Sequence, residues 1–267
     1  MTKASVVLGP DLRARLAGRD RFDEFMAISG DVFKDKPGRR TIRFARGGKR
    51  YFIKIHRGVG WREIFKNLAQ LRLPVLGAEN ERRAIERLHE IGVPTMTIAG
   101  YGRRGWNPAR LESFLVTEDL GDTRNLEDLS RDWRESPPAP RAKRALIDAV
   151  AATARRLHES GVNHRDFYLC HLRVDPRQAV ERPKIFVMDL HRAQLRAATP
   201  RRWVVKDVGS LYFSALDIGL TRRDLLRFVK AYRGKPLRET LRAERPFWAA
   251  VERRARRLYR TAPEKRA

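Results

Sequence analysis

The chain has 267 residues, 42% of them hydrophobic, and a formal net charge of +26. That length holds one large domain or two modest ones, and the charge implies an anionic partner: phosphate groups, a membrane surface, nucleic acid or a small acidic protein. The single cysteine, Cys170, excludes an internal disulfide and a four-cysteine zinc site.

At the start, the only consecutive apolar run is Val6, Val7 and Leu8, too short for a signal peptide. No uncharged run approaches ~18 residues, so no membrane-spanning helix is expected. The expected setting is soluble and cytoplasmic, with peripheral attachment at a membrane surface. Residues 20–33 read as a short helix or the approach to a strand. Thr41–Ala45 and Arg50–His56 are rich in β-formers and flank Gly47-Gly48, the signature of a hairpin. Trp61, Ile64, Phe65, Leu68 and Leu71 recur at helical spacing. A second helix begins at Glu79, with Ile85, Leu88 and Ile91 on one side, and stops at Gly92-Val93-Pro94. Strands are expected near Thr95–Tyr101 and Ser113–Thr117. Ser136-Pro137-Pro138-Ala139-Pro140 is a loop. A long helix follows, over about 141–160, with Leu146, Val150, Thr153 and Leu157 on one face and Gly161 as its cap. Leu172–Val174 and Lys184–Met188 form another predicted hairpin, and the chain reads helical beyond residue 200. Strands early and helices late predict an α+β protein.

Charge is concentrated in two segments. Residues 34–73 carry thirteen Lys/Arg against two acids, and residues 218–267 carry sixteen against five. Two shorter stretches combine that charge with aromatics: Trp61 and Phe65 within residues 57–73, and Phe247 and Trp248 within 246–260. Both have the composition of an interfacial helix, in which aromatics enter the lipid boundary and arginines meet head-group phosphates.

Four elements stand in the order of the protein-kinase signature. Lys54 lies in a strand and Glu81 near the start of a helix. His164-Arg165-Asp166 follows the capped helix, and Asp189 comes 23 residues after Asp166, behind the apolar run Ile185–Met188. Phosphoryl transfer asks for these types. The group in flight carries spread-out negative charge, which the protein positions and neutralises. A strand lysine grips nucleotide phosphates, and a helical glutamate holds it as an ion pair. One aspartate orients the acceptor hydroxyl and takes its proton. A second holds Mg²⁺, which prefers hard oxygen ligands. Phe114–Leu120 resembles the last strand of a kinase small lobe running into the hinge, where backbone groups near Glu118 and Leu120 bond adenine. Asp207 resembles the helix aspartate that braces the catalytic loop.

The string His164-Arg165-Asp166-Phe167-Tyr168-Leu169-Cys170-His171, with Asp189-Leu190-His191-Arg192-Ala193-Gln194, resembles the lipopolysaccharide core heptose(I) kinases. So do Gly38-Arg39-Arg40-Thr41, Lys66-Asn67-Leu68, Pro74–Ala78 and Lys206-Asp207. The resemblance spans roughly residues 30–235. It implies a protein-kinase-like bilobal fold, with a β-rich lobe over residues 1–120 and a helical lobe over 121–267. It also implies ATP- and Mg²⁺-dependent phosphorylation of the first heptose of the inner core, a glycolipid acceptor, at the cytoplasmic face of a Gram-negative inner membrane. His164, Arg165 and Asp166 become the expected catalytic residues. Lys54, Glu81, Gly38, Glu118 and Leu120 are then the nucleotide contacts, and Asp189 and His171 the metal positions.

Three features depart from protein kinases. No G-x-G-x-x-G precedes Lys54; Gly38 is the glycine in the right place. His171 stands where the kinase pattern has asparagine, and imidazole is a poor Mg²⁺ ligand. Only 17 residues separate Asp189 from Asp207, too few for a peptide platform, and position 168 is Tyr. These favour a small or glycolipid acceptor. Alternatives are a phosphotransferase of the aminoglycoside or choline type, and protein tyrosine kinase activity including autophosphorylation at Tyr168. A nucleic-acid-binding protein is supported by charge alone, with no zinc-finger, helix-turn-helix or aromatic RNA-binding motif. A pseudokinase scaffold is disfavoured because Lys54, Asp166 and Asp189 are all present.

Overall fold

The computed structural model describes residues 4–15, 22–69, 77–177 and 183–262, without the side chains of residues 63 and 66–68. The chain forms two compact units: residues 1–86 with 96–121, and residues 87–95 with 122–267. The proline-rich stretch 136–139 lies inside the second unit.

The first unit is built on an antiparallel sheet. Its strands are β1 (Ala4–Leu8), β2 (Asp31–Lys36), β3 (Arg39–Arg46), β4 (Lys49–His56), β5 (Ile98–Arg104) and β6 (Glu112–Glu118), in the order β1-β5-β6-β4-β3-β2. Gly47 and Gly48, at φ 54° and 76°, make the two-residue turn between β3 and β4 that only positive φ allows. Helices α1 (Pro10–Arg15) and α2 (Phe22–Met26) cover one face. Leu12, Phe22 and Phe25 pack there against Ile42, Tyr51, Ile53, Ile55 and Phe114. Strand period two therefore sends Tyr51, Ile53 and Ile55 into this core and Lys54 to the other face. Strand β1 was not expected from the sequence; it pairs with β5 along Ala4–Leu8. Helix α3 (Gly60–Ala69) matches the expected helical spacing, while residues 70–76, including Leu71, Arg72 and Pro74–Leu76, lie outside the described residues. Helix α4 spans Glu79–Glu90.

The second unit is mostly helical. Short strand β7 (Arg124–Asn125) and helix α5 (Leu126–Leu129) precede α6 (Pro140–Glu159), whose Leu146, Val150, Ala154 and Leu157 are buried. Thr153 is only half-buried, and Ala154 takes the inward position. Strands β8 (Val162–Asn163), β9 (Leu172–Val174), β10 (Phe186–Val187) and β11 (Gln194–Leu195) frame two loops. Then follow α7 (Arg201–Ser214), α8 (Arg222–Arg233), α9 (Leu237–Ala243) and α10 (Arg245–Thr261). Helix α7 packs on α10 with Gly209 at the contact; a Cβ there would lie 2.6 Å from Arg254 Cγ.

The two aromatic-basic segments differ. In α10, Phe247, Val251 and Ala255 are buried, so its apolar face belongs to the protein core rather than to a lipid boundary. In α3, Trp61 and Phe65 are 50% and 61% exposed, their rings stacked with centroids 5.8 Å apart.

Candidate active site

In the first unit, Lys54 projects from β4 on the face away from the aromatic core, and its Nζ lies 2.5 Å from Glu81 Oε1. The Glu81 side chain is 1% exposed, so its charge is unscreened by water and is answered by this lysine. Gly38, at φ 75°, turns β2 into β3, and its carbonyl accepts from Arg57 N–H at 2.8 Å. At the end of β6, Glu118 N–H donates to the Thr97 carbonyl at 2.9 Å, while its carboxylate accepts from Lys49 at 2.6 Å. Two residues on, the Leu120 N–H makes no hydrogen bond among the described residues.

The second unit carries His164, Arg165, Asp166, His171 and Asp189 together. Asp207, buried on α7, accepts from the backbone N–H of His164 at 2.6 Å and of Arg165 at 2.9 Å. This is the bracing that the sequence led us to expect. Behind it, His158 links Asp207, at 3.4 Å, to the Tyr232 hydroxyl, at 2.7 Å. Arg165 and Asp189 have φ of 73° and 56°, and they are the only non-glycine residues with positive φ among those described. Such conformations cost of order 1–3 kcal/mol each and concentrate at functional sites. Two loops are thus held in strained shapes within one constellation.

His164, expected from the sequence to be catalytic, is buried. Its ring is enclosed, Nε2 donates to the Met188 carbonyl at 2.7 Å, and Nδ1 has no partner among the described residues. Burial depresses its basicity, and the ring remains neutral, tying the Asp166 loop to the strand before Asp189. His171 Nδ1 donates to the Asp166 carbonyl at 2.7 Å, and its Nε2 lies 3.7 Å from Asp189 Oδ2. His191 Nδ1 bonds the other Asp189 oxygen at 2.6 Å. Among the described residues, no group of three or more His, Cys, Asp and Glu is gathered as a metal site.

Comparison with known proteins gives this geometry its family. The profile of the lipopolysaccharide kinase (Kdo/WaaP) family matches residues 23–232. The chain belongs to that family. It is 55% identical over 91% of its length, and 91% of the relative's, to a lipopolysaccharide core heptose(I) kinase WaaP of Pseudomonas aeruginosa. A protein of the same name from Escherichia coli is 47% identical over 90% of this chain and 92% of its own. A solved structure, described as WaaP in complex with acyl carrier protein, superposes with a TM-score of 0.81 at 48% identity, covering 96% of this chain and 99% of that one. The fold is protein-kinase-like, the chain is a phosphotransferase with an alcohol group as acceptor, and membership of a kinase family implies ATP as donor.

One contact at the Asp166 loop had no sequence expectation. Arg192 Nη1 reaches both Asp166 oxygens, at 2.9 and 3.0 Å. The signal was available: Arg192 stands in the Asp189–Gln194 string, while position 168, where many kinases carry a lysine, is Tyr.

Proposed function

We propose that the chain transfers the γ-phosphoryl group of ATP to a hydroxyl of the first heptose of the lipopolysaccharide inner core. Asp166 receives the acceptor hydroxyl, orients its oxygen toward the γ-phosphorus and takes its proton as the new P–O bond forms and the bond from that phosphorus to the β,γ-bridging oxygen breaks, releasing ADP. Arg192, bonded to both Asp166 oxygens at 2.9 and 3.0 Å, keeps that carboxylate aimed. Lys54, fixed by Glu81, holds the nucleotide phosphates, and the backbone at Glu118 and Leu120 receives adenine. Gly38, in a turn flanked by Lys36, Arg39 and Arg40, covers the phosphates with charge where other kinases use a glycine cradle. Asp189, whose carboxylate offers the hard oxygens that Mg²⁺ prefers and is oriented by His191, would hold the ion. When bound, that ion neutralises charge on the phosphate oxygens. His171, an imidazole bonded to the Asp166 carbonyl, serves better as a positioning group than as a Mg²⁺ ligand.

The observation that carries the reading is the braced loop, with Asp207 under His164 and Arg165, in a chain 55% identical to a heptose(I) kinase. ATP turnover with purified unphosphorylated lipopolysaccharide core, beside an aminoglycoside and a generic protein substrate, tests it. Turnover confined to the core is expected; preference for either other acceptor overturns it.

The work is proposed to occur at the cytoplasmic face of the inner membrane, where the exposed Trp61 and Phe65 of α3 can enter the lipid boundary. No helix among the described residues is long and apolar enough to cross a membrane. A small acidic carrier protein is a further proposed partner. Support comes from the +26 charge, the neighbour solved with acyl carrier protein, and an apolar cavity of 360 Å³ in the second unit. Trp133, Ile147, Leu211, Phe228 and Trp248 help to line that cavity, a surface suited to an alkyl chain.

A further inference from the structure

Asp166 is surrounded by more positive charge than it can answer. Arg192 already pairs with it at 2.9 Å. Arg165, beside it in the chain, is held in its strained conformation by Asp207, and its Nε is buried without a hydrogen-bond partner among the described residues. Lys206 stands on the second turn of α7. Its Nζ lies 5.3 Å from the centre of the Trp203 ring, and the Arg165 guanidinium lies 5.4 Å from that same ring. No ion pair joins Lys206 to an acid among the described residues.

The cluster is under electrostatic stress. Burial pushes the Lys206 ammonium below its ordinary range, and the charges of Arg165 and Arg192 push it further. Arg165 is pushed down by burial and then by Arg192. Free side chains would separate. These are held in place: Lys206 by the helix and the contact of its ammonium with the Trp203 ring, Arg165 by its bonded backbone, and Arg192 by Asp166. A lysine kept for structure is ordinarily given a carboxylate when half-buried. Here that carboxylate is missing, and a bound anion would relieve the repulsion with charge-assisted hydrogen bonds.

The geometry points to an anion subsite beside Asp166, formed by Arg165, Arg192 and Lys206, that takes an acidic substituent of the acceptor, a carboxylate or phosphate neighbouring the hydroxyl to be phosphorylated. The inference rests on Asp166 being the group that receives the acceptor. In that reading the donor phosphates are already served by Lys54 and Asp189, which leaves this cluster for the acceptor. The subsite orients an acidic glycolipid on the loop and rejects neutral or cationic sugars.

Steady-state kinetics of the full chain test it with two acceptors: purified lipopolysaccharide core whose acceptor heptose is unphosphorylated, and the same core with its carboxyl groups amidated and its remaining phosphates removed. Lys206→Gln is expected to raise KM for the native core about 10- to 100-fold, the weight of a hydrogen bond to a charged group. KM for ATP stays within about twofold and Lys206→Arg recovers most of the loss, because a retained cation keeps the electrostatic attraction. On the neutralised core, wild type and Lys206→Gln are expected to be equally poor, since no anion remains to be bound. An unchanged KM for the native core overturns the subsite. A rise in KM for ATP instead assigns the cations to the donor and overturns it equally. Wild type that does not phosphorylate the native core at all overturns the acceptor reading beneath it, a result distinct from the other two. Should Lys206→Gln melt well below wild type, Lys206→Met, an unbranched side chain of similar length without the charge, gives the same readout.

Discussion

Asp166 is reached by Arg192 through its side chain and by His171 through its carbonyl, so the structure spends two neighbours on aiming one carboxylate. Asp166→Ala removes the proton acceptor while leaving Asp207 beneath the loop. Turnover is predicted to fall ~10²–10⁴-fold, the usual weight of a general base. Binding of a fluorescent ATP analogue should persist. A purified variant with near wild-type turnover would sink the assignment. The complementary residue is Glu81, 1% exposed and paired only through one oxygen with Lys54; its Oε2 has no hydrogen-bond partner among the described residues. Glu81→Gln keeps the shape and removes the charge, so Lys54 loses its fixed direction. The expected result is a fall of about tenfold or more in kcat/KM for ATP, in line with the cost of misplacing a positioning group. ATP titrations that superimpose on wild type would show that the pair is merely structural.

At the scale of elements, α3 and α10 have similar composition and opposite fates. The apolar face of α10 is consumed by α7, whereas α3 leaves two stacked aromatics outside. The prediction therefore concerns α3 alone. Burying an aromatic of this size gains up to about 3 kcal/mol, and the surrounding arginines add electrostatic attraction to anionic lipid. Replacing Trp61 and Phe65 together with Ser should weaken co-sedimentation with phosphatidylglycerol-containing vesicles about tenfold or more. KM for the glycolipid is expected to rise far more than KM for ATP. Binding that is absent in wild type at low salt, or unchanged in the double variant, defeats the docking role and leaves the phosphotransferase untouched.

At the scale of the whole molecule, stability should depend on pH through His164. Its folded basicity is depressed by burial, so the unfolded chain binds the proton more readily. Its contribution to stability is therefore fully present above the ordinary histidine value of 6.5 and is lost progressively as pH falls below it. Thermal melting followed from about pH 7.5 to about pH 5.5 should show a falling Tm, by the linkage of proton binding to unfolding. His164→Asn, which keeps a donor for the Met188 carbonyl without a titrating ring, should show a shallower fall. Equal slopes would mean that other groups govern the acid response.

The sequence by itself determined the hairpin at Gly47-Gly48, helices α4 and α6, and the string from His164 to Gln194, because turn chemistry, helical period and motif spacing act over short distances. It also determined the family, through the strings that carry the resemblance. Strand β1 was beyond it: five residues, Ala4–Leu8, carry little periodicity, and their partner β5 lies about a hundred positions away. The burial of His164 was equally hidden, since a histidine reads the same in a motif whether its ring faces substrate or core. Only tertiary structure decided that Arg192 pairs with Asp166, that α10 packs inward while α3 exposes Trp61, and that Lys206 joins Arg165 around Trp203. Each of these depends on which faces meet across long stretches of chain, and side-chain contacts of that kind leave no local trace in the order of residues.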